Sequence, residues 1–234
     1  MTHRERVLAA LAHRQPDRCP VDFWAVPEVV ERLLKHFGAR EEAELYDLLD
    51  VDMQFVFPRS TLPDPEILPD GSYFDHMGVH RRPVRNQYCT YDEYASYPLA
   101  YARSVEDLER YNKWPDPEAF EWEHFAAQIA PLHEKRFLKL HAGGIFGYAW
   151  ALRGYEQFMM DLVMDPEIVH YIMDKFCTYW CTFIRRAMEA AGQYLDMVYT
   201  YDDIAAQNAL LLSPDMLEEF VYPYHRRMNA VIKS

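Results

Sequence analysis

What most constrains this chain is an alternation of short strand-like runs with helical stretches. The runs are Cys19 to Ala25 (CPVDFWA), Val51 to Phe57 (VDMQFVF), Arg136 to Leu140 (RFLKL) and Asp196 to Tyr201 (DMVYTY). The last alternates too poorly for a half-exposed strand and suits a β-rich run covered on both faces. Each run is followed by a segment of helical character, which is the rhythm of a parallel α/β barrel. Four strands are half of such a barrel, and a complete one takes about 250 residues. The expected architecture is therefore an incomplete (β/α)8 TIM-type barrel of about four to five βα units, one partial domain over residues 1–234 with a C-terminal portion missing. A half-barrel leaves sheet edges unpaired, which invites self-association.

The helical stretches carry their own start and stop signals. Thr2-His3-Arg4-Glu5 has capping-box spacing and opens a helix over about 3–13, halted at Gln15-Pro16-Asp17. Pro27 opens an amphipathic helix through Val30, Leu33, Leu34 and Phe37 to Gly38, and a further helix covers Glu41 to Leu49. A short helix follows Ser104, and another spans about 117–134. Asp165-Pro166-Glu167 starts the longest one, whose apolar stripe through Ile168, Ile172, Phe176, Trp180 and Phe183 suits packing on a sheet. A last helix runs from Pro214, capped by Ser213. The texture changes between about 62 and 100, where Pro and Asp are frequent and Met77 to Val84 and Gln87 to Tyr91 read as hairpin strands. This is a small antiparallel β-hairpin insertion. Its His80, Arg81, Arg82 and Arg85 are either a solvated face or an anion clamp.

Charge excludes some classes of partner. With 37 acids against 24 Lys and Arg, the formal charge is −13. Nucleic acids and anionic membranes both need positive potential, so neither is expected to bind. No apolar run approaches the roughly 18 residues of a membrane span, and the N-terminus lacks the features of a secretory signal. A cytoplasmic location follows. Four cysteines in 234 residues do not make a disulfide scaffold. Cys177 and Cys181 share one helix face, but the flanking aromatics favour core packing, and no third metal ligand is evident nearby.

The chemistry gathers after the third and fourth strands. In parallel α/β folds ligands sit at the carboxyl ends of strands, so Asp202, Asp203 and Gln207 fall on the functional side. The alternative is that one aspartate caps local backbone and the other is solvated. His141 leaves the third strand on the same side and can serve as acid, base or ligand. It runs into Gly143-Gly144, whose lack of side chains admits close approach, though no phosphate-loop pattern follows.

Three strings carry a resemblance: THRERVLAALAHRQPDRCPVDFW at the start, LRGYEQFMMDLVMDPEIVHYIMDK over Leu152 to Lys175, and YDDIAAQNALLLSPDMLEEFVYPYHRRM over Tyr201 to Met228. Together they resemble the uroporphyrinogen decarboxylase superfamily over nearly the whole chain. That resemblance implies the barrel already inferred. It also implies one of two chemistries: cofactor-free decarboxylation of porphyrinogen acetates, or zinc-dependent methyl transfer between corrinoid proteins and thiols or related acceptors.

The departures favour the second. The decarboxylase's arginine-rich RxxGRY stretch corresponds here to VDFWAVPEVVERLL, with no arginine before Arg32. Its substrate aspartate falls at Phe57, or one step on at Pro58 and Arg59, and its active-site tyrosine at Trp150. The methyltransferase branch implies a small-molecule substrate and a corrinoid protein as partner. Its zinc ligands, a His-x-Cys pair and a later Cys, would lie beyond Ser234, so this chain itself holds no cofactor and is expected to be inactive alone. On that reading His141, Asp202 and Asp203 are the catalytic or orienting groups, and Trp24, Tyr148, Trp150 and Gln207 contact substrate. The rivals are a metal-free decarboxylase, in which Asp202 or Asp203 stabilises a cationic intermediate, and a non-catalytic half-barrel acting by association.

Overall fold

A computed structural model describes all residues 1–234. In chain order the elements begin with α1 (His3–Leu11), α2 (Pro27–Phe37), α3 (Glu42–Leu48) and β1 (Met53–Val56). The insertion holds β2 (Tyr73–Phe74), β3 (His80–Arg85) and β4 (Thr90–Ser96), followed by α4 (Val105–Glu109) and α5 (Trp122–His133). Then come β5 (Phe137–His141), α6 (Phe146–Arg153), α7 (Tyr155–Met164) and α8 (Pro166–Ala191). β6 (Met197–Tyr199), α9 (Pro214–Phe220) and α10 (Tyr222–Ile232) complete it.

Strands β1, β5 and β6 form a parallel sheet in that order, with β5 central. This is the sheet of an incomplete (β/α)8-type barrel, and β2, β3 and β4 make a separate antiparallel sheet. Leu138 and Leu140 of β5 are fully buried and join Val56, Phe176 and Phe183 in one large apolar cluster beneath the helices. Lys139 and His141 alternate with those leucines, so the strand's period of two sends them to the inner, concave face. No helix is long and apolar enough to cross a membrane.

Cys19 to Ala25 corrects one expectation, because it is extended but forms no strand. Pro20 has no N–H to donate. Its backbone is tied to the sheet at Val21, where the Asp52 N–H donates to the Val21 carbonyl at 2.8 Å and the Val21 N–H to the Asp52 carboxylate at 2.7 Å. The expected last helix is also divided: Pro223 falls two residues after the break at Val221 and cannot sustain a continuous ladder. The four cations of the insertion do not converge into a clamp. His80 bonds Ser72, Arg81 lies 3.9 Å over the Tyr94 ring and pairs with Asp75, and Arg82 and Arg85 are exposed.

The amino end of the sheet is held by charge. Asp52, fully buried, accepts from His3 at 2.8 Å and from Arg6 and Arg18 at 2.6 Å each, locking α1 and its following loop beneath β1. Asp196 does the same below β6, bonding Arg4 at 2.7 Å and the Leu138 N–H at 2.9 Å. Both acids precede their strands, so they serve the end of the barrel associated with stability.

Candidate functional site

At the opposite end, register brings three strand exits together: Val56 pairs with Leu140, and His141 with Tyr199. The His141 imidazole lies nearly parallel to the rings of Tyr199 and Tyr201, at 6.0 and 5.4 Å between centroids, and meets Phe55 edge-on at 5.6 Å. These residues, two apart along their strands, all face the concave side. His141 also lines a cavity of about 280 Å³ with Trp24, Phe55, Val56 and Phe57. Neither ring nitrogen of His141 has a hydrogen-bond partner within the protein, so a ligand in the cavity would meet an uncommitted imidazole.

Its protonation is set by its surroundings. Burial pushes the His141 pKa below the usual histidine value, and the positive charge of Lys139 adds to the effect. The imidazole is therefore neutral at pH 7 and able to accept a proton. Lys139 itself is 3% exposed, pairs with Asp22 and lies 3.7 Å over the Phe55 ring. It lies against Phe55, outside the cavity wall, with its charge offset by Asp22.

The aspartates divide. Asp202, with 2% of its side chain exposed, turns away from the cavity. Its carboxylate accepts the N–H groups of Ile145, Phe146 and Gly147 at 2.8, 2.9 and 2.8 Å and contacts Nε2 of His225 at 2.8 Å. It caps the start of α6 from a distant strand, satisfying helix N–H groups that have no partner inside the helix. Gly144 is required by this contact. A methyl group there would overlap the Asp202 carboxylate and come within 2.6 Å of the Tyr201 carbonyl oxygen. Gly143 likewise gives its space to Trp180 and Tyr148, so the paired glycines admit the protein's own groups. Asp203 and Gln207 are exposed on the loop beyond β6.

The aromatic candidates also separate. Trp24 is 76% exposed, stands over Phe55 at 6.1 Å and forms the outer lip of the His141 cavity. Trp150 points elsewhere, packing on Tyr94 of β4 at 5.1 Å and on Tyr155 at 5.6 Å. Tyr148 lies against Phe176 and Trp180, and burial raises its pKa. Cys177 and Cys181 are buried in α8 with their sulfurs 4.0 Å apart, part of the core. Lys139, Phe55, Tyr199, Tyr201 and His225 had not been singled out from the sequence. For the first four a signal existed, because they lie at even spacing from or in register with His141. His225 had none.

The residues present do not suit a metal ion: nowhere do three His, Cys, Asp or Glu side chains approach closely enough to share one. The arrangement is instead a neutral base in an aromatic recess, beside a neutralised lysine.

A parallel α/β barrel with its recess at the carboxyl ends of the strands defines a class of barrel proteins that bind ligands at that mouth. Within it the family is shown by sequence: a model of uroporphyrinogen decarboxylase (URO-D) matches residues 91–234, and the chain belongs to that family. Among curated protein sequences none matches. A solved methyltransferase from Methanosarcina mazei is similar in structure, with a TM-score of 0.65. The likeness covers 100% of this chain and 68% of that one at 18% identity, and so is one of fold.

Proposed function

We propose that this chain provides the acceptor side of a methyl transfer, in which a small thiol or related nucleophile takes a methyl group from a corrinoid protein. The observation that carries the reading is the neutral, uncommitted His141 at the barrel mouth. An acceptor thiol placed in the recess gives its proton to His141, and the resulting thiolate is the nucleophile. The sulfur forms a bond to the methyl carbon, and the carbon–cobalt electron pair stays with the corrinoid. Phe55, Tyr199 and Tyr201 pack around the His141 ring and hold its orientation, and burial, with the charge of Lys139 adding to it, keeps His141 deprotonated between turnovers. The likeness in fold to a methyltransferase supports the reading. These residues do not assemble a ligand set for zinc.

The test is loss of the methylcobalamin absorbance when a methylated corrinoid and a thiol are mixed with the chain. His141→Gln is expected to slow that loss by a factor of about 10² to 10⁴. Equal rates for both proteins overturn the reading.

The family's own description supports a second reading, decarboxylation of a porphyrinogen without cofactor. The only cation beside the recess, Lys139, is already paired with Asp22, which provides little for a substrate rich in carboxylates. Release of CO2 from uroporphyrinogen by the isolated chain would favour this reading over methyl transfer.

A further inference from the structure

A second and larger cavity, about 490 Å³, lies behind Phe57, which it shares with the His141 recess. It sits between the loop after β1, the loop before α5, and α8. Its walls are aromatic: Trp114, Phe120, Tyr148, Phe176, Tyr179 and Trp180 all contribute. Protein interiors are close-packed, so a space this size is no packing defect, and it falls in the range of small-molecule sites. Walls of this kind favour flat rings through stacking and edge contacts.

One polar feature points to what else the occupant carries. Lys113 stands exposed at the mouth with no carboxylate within ion-pair distance, beside His76. The nearest acid of the lining, Asp116, accepts the Glu118 N–H at 2.9 Å. On a chain of charge −13, a free lysine at a cavity mouth makes a local attraction for an anion.

We infer that this cavity is a binding site for a small planar aromatic carboxylate, the ring held between Trp114, Tyr179 and Trp180 and the acid group turned to Lys113. The inference goes beyond the methyl-transfer reading and does not depend on it.

Isothermal titration of the full chain with 2-naphthoate, and with uncharged 2-naphthamide as comparison, tests it. Saturable binding at one site per chain is expected, with the amide about threefold or more weaker. Lys113→Met should abolish that difference, and Lys113→Glu should reverse it. Both changes are at an exposed position, and unchanged circular dichroism confirms folding. His141→Ala should leave naphthoate affinity unaltered, which separates this site from the barrel recess. No saturable binding, equal affinity for acid and amide, or an affinity that Lys113→Met leaves intact would each overturn the proposal, as would loss of binding in His141→Ala.

Discussion

The Asp202 carboxylate lies 2.8 Å from Nε2 of His225 while also accepting three N–H groups at the start of α6. One side chain thus ties the exit of β6 to α6 and to α10. The acid is buried and fully engaged, which makes it a structural joint at the edge of the recess.

Asp202→Ala should therefore act first on stability. Losing a shared cap and exposing unpaired N–H groups costs about 1–3 kcal/mol. Urea unfolding followed by circular dichroism measures it. An unchanged midpoint with abolished turnover would show instead that Asp202 acts on substrate.

Glycine 144 has no freedom to change. In Gly144→Ala the new methyl group meets the Tyr201 backbone carbonyl and the Asp202 carboxylate, neither of which can move without breaking the joint. Gly143→Ala meets the side chains of Trp180 and Tyr148, which have more latitude. Both variants should lower the thermal midpoint, the first more than the second. The reverse order in a melting experiment would contradict this account.

His141 should titrate below the usual histidine range of about 6.5. Burial is the larger cause, and Lys139 the smaller. The folded pKa is depressed, so the neutral form's contribution is complete above the unfolded value and is lost as pH falls through the folded one. Turnover that needs the neutral ring should fall along the same acid limb. Lys139→Met should move the midpoint up, part of the way to the ordinary value, as read from the imidazole C–H resonance. A midpoint above that of a free histidine would refute the assignment.

Asp52 should govern stability in acid. Burial acts most strongly and raises its pKa, but the Val21 N–H, His3, Arg18 and Arg6 together outweigh it, and the net shift is downward. Stability from this carboxylate is thus present above the unfolded value of about 3.9 and is lost as pH falls through the lower folded value. Asp52→Ala removes one partner of Arg6, which keeps Asp17, and leaves the Val21 N–H without its acceptor, at a cost of about 1–3 kcal/mol at neutral pH. Asp52→Asn should flatten the stability profile below pH about 4. Chemical unfolding at several pH values checks both.

Local signals in the sequence were read well. The Thr2–Glu5 capping box and the Ser213 cap involve residues three apart and need no tertiary context. The long α8 stripe is a periodic pattern and the apolar runs at β1, β5 and β6 are strand-like in composition, so strand type and the mouth-ward position of His141 followed from them. Only β5 is buried along its length, however, while β6, expected to be covered on both faces, is half-buried. Cys19 to Ala25 failed because its apolar character was legible while its lack of pairing partners was not.

The amino-acid sequence by itself determined the alternating elements, the antiparallel insertion, and the end of the sheet on which His141, Asp202 and Asp203 lie. Only the tertiary structure decided which of them face a ligand. After β6 the chain leaves the strand, so Tyr201 joins His141 while Asp202 turns to N–H groups 55 to 57 residues earlier and a histidine 23 residues later. Lys139 finds Asp22 across 117 residues. Periodicity reports the surroundings of neighbours in the chain, whereas a buried charge is compensated by whatever packing brings to it, and that depends on every element at once.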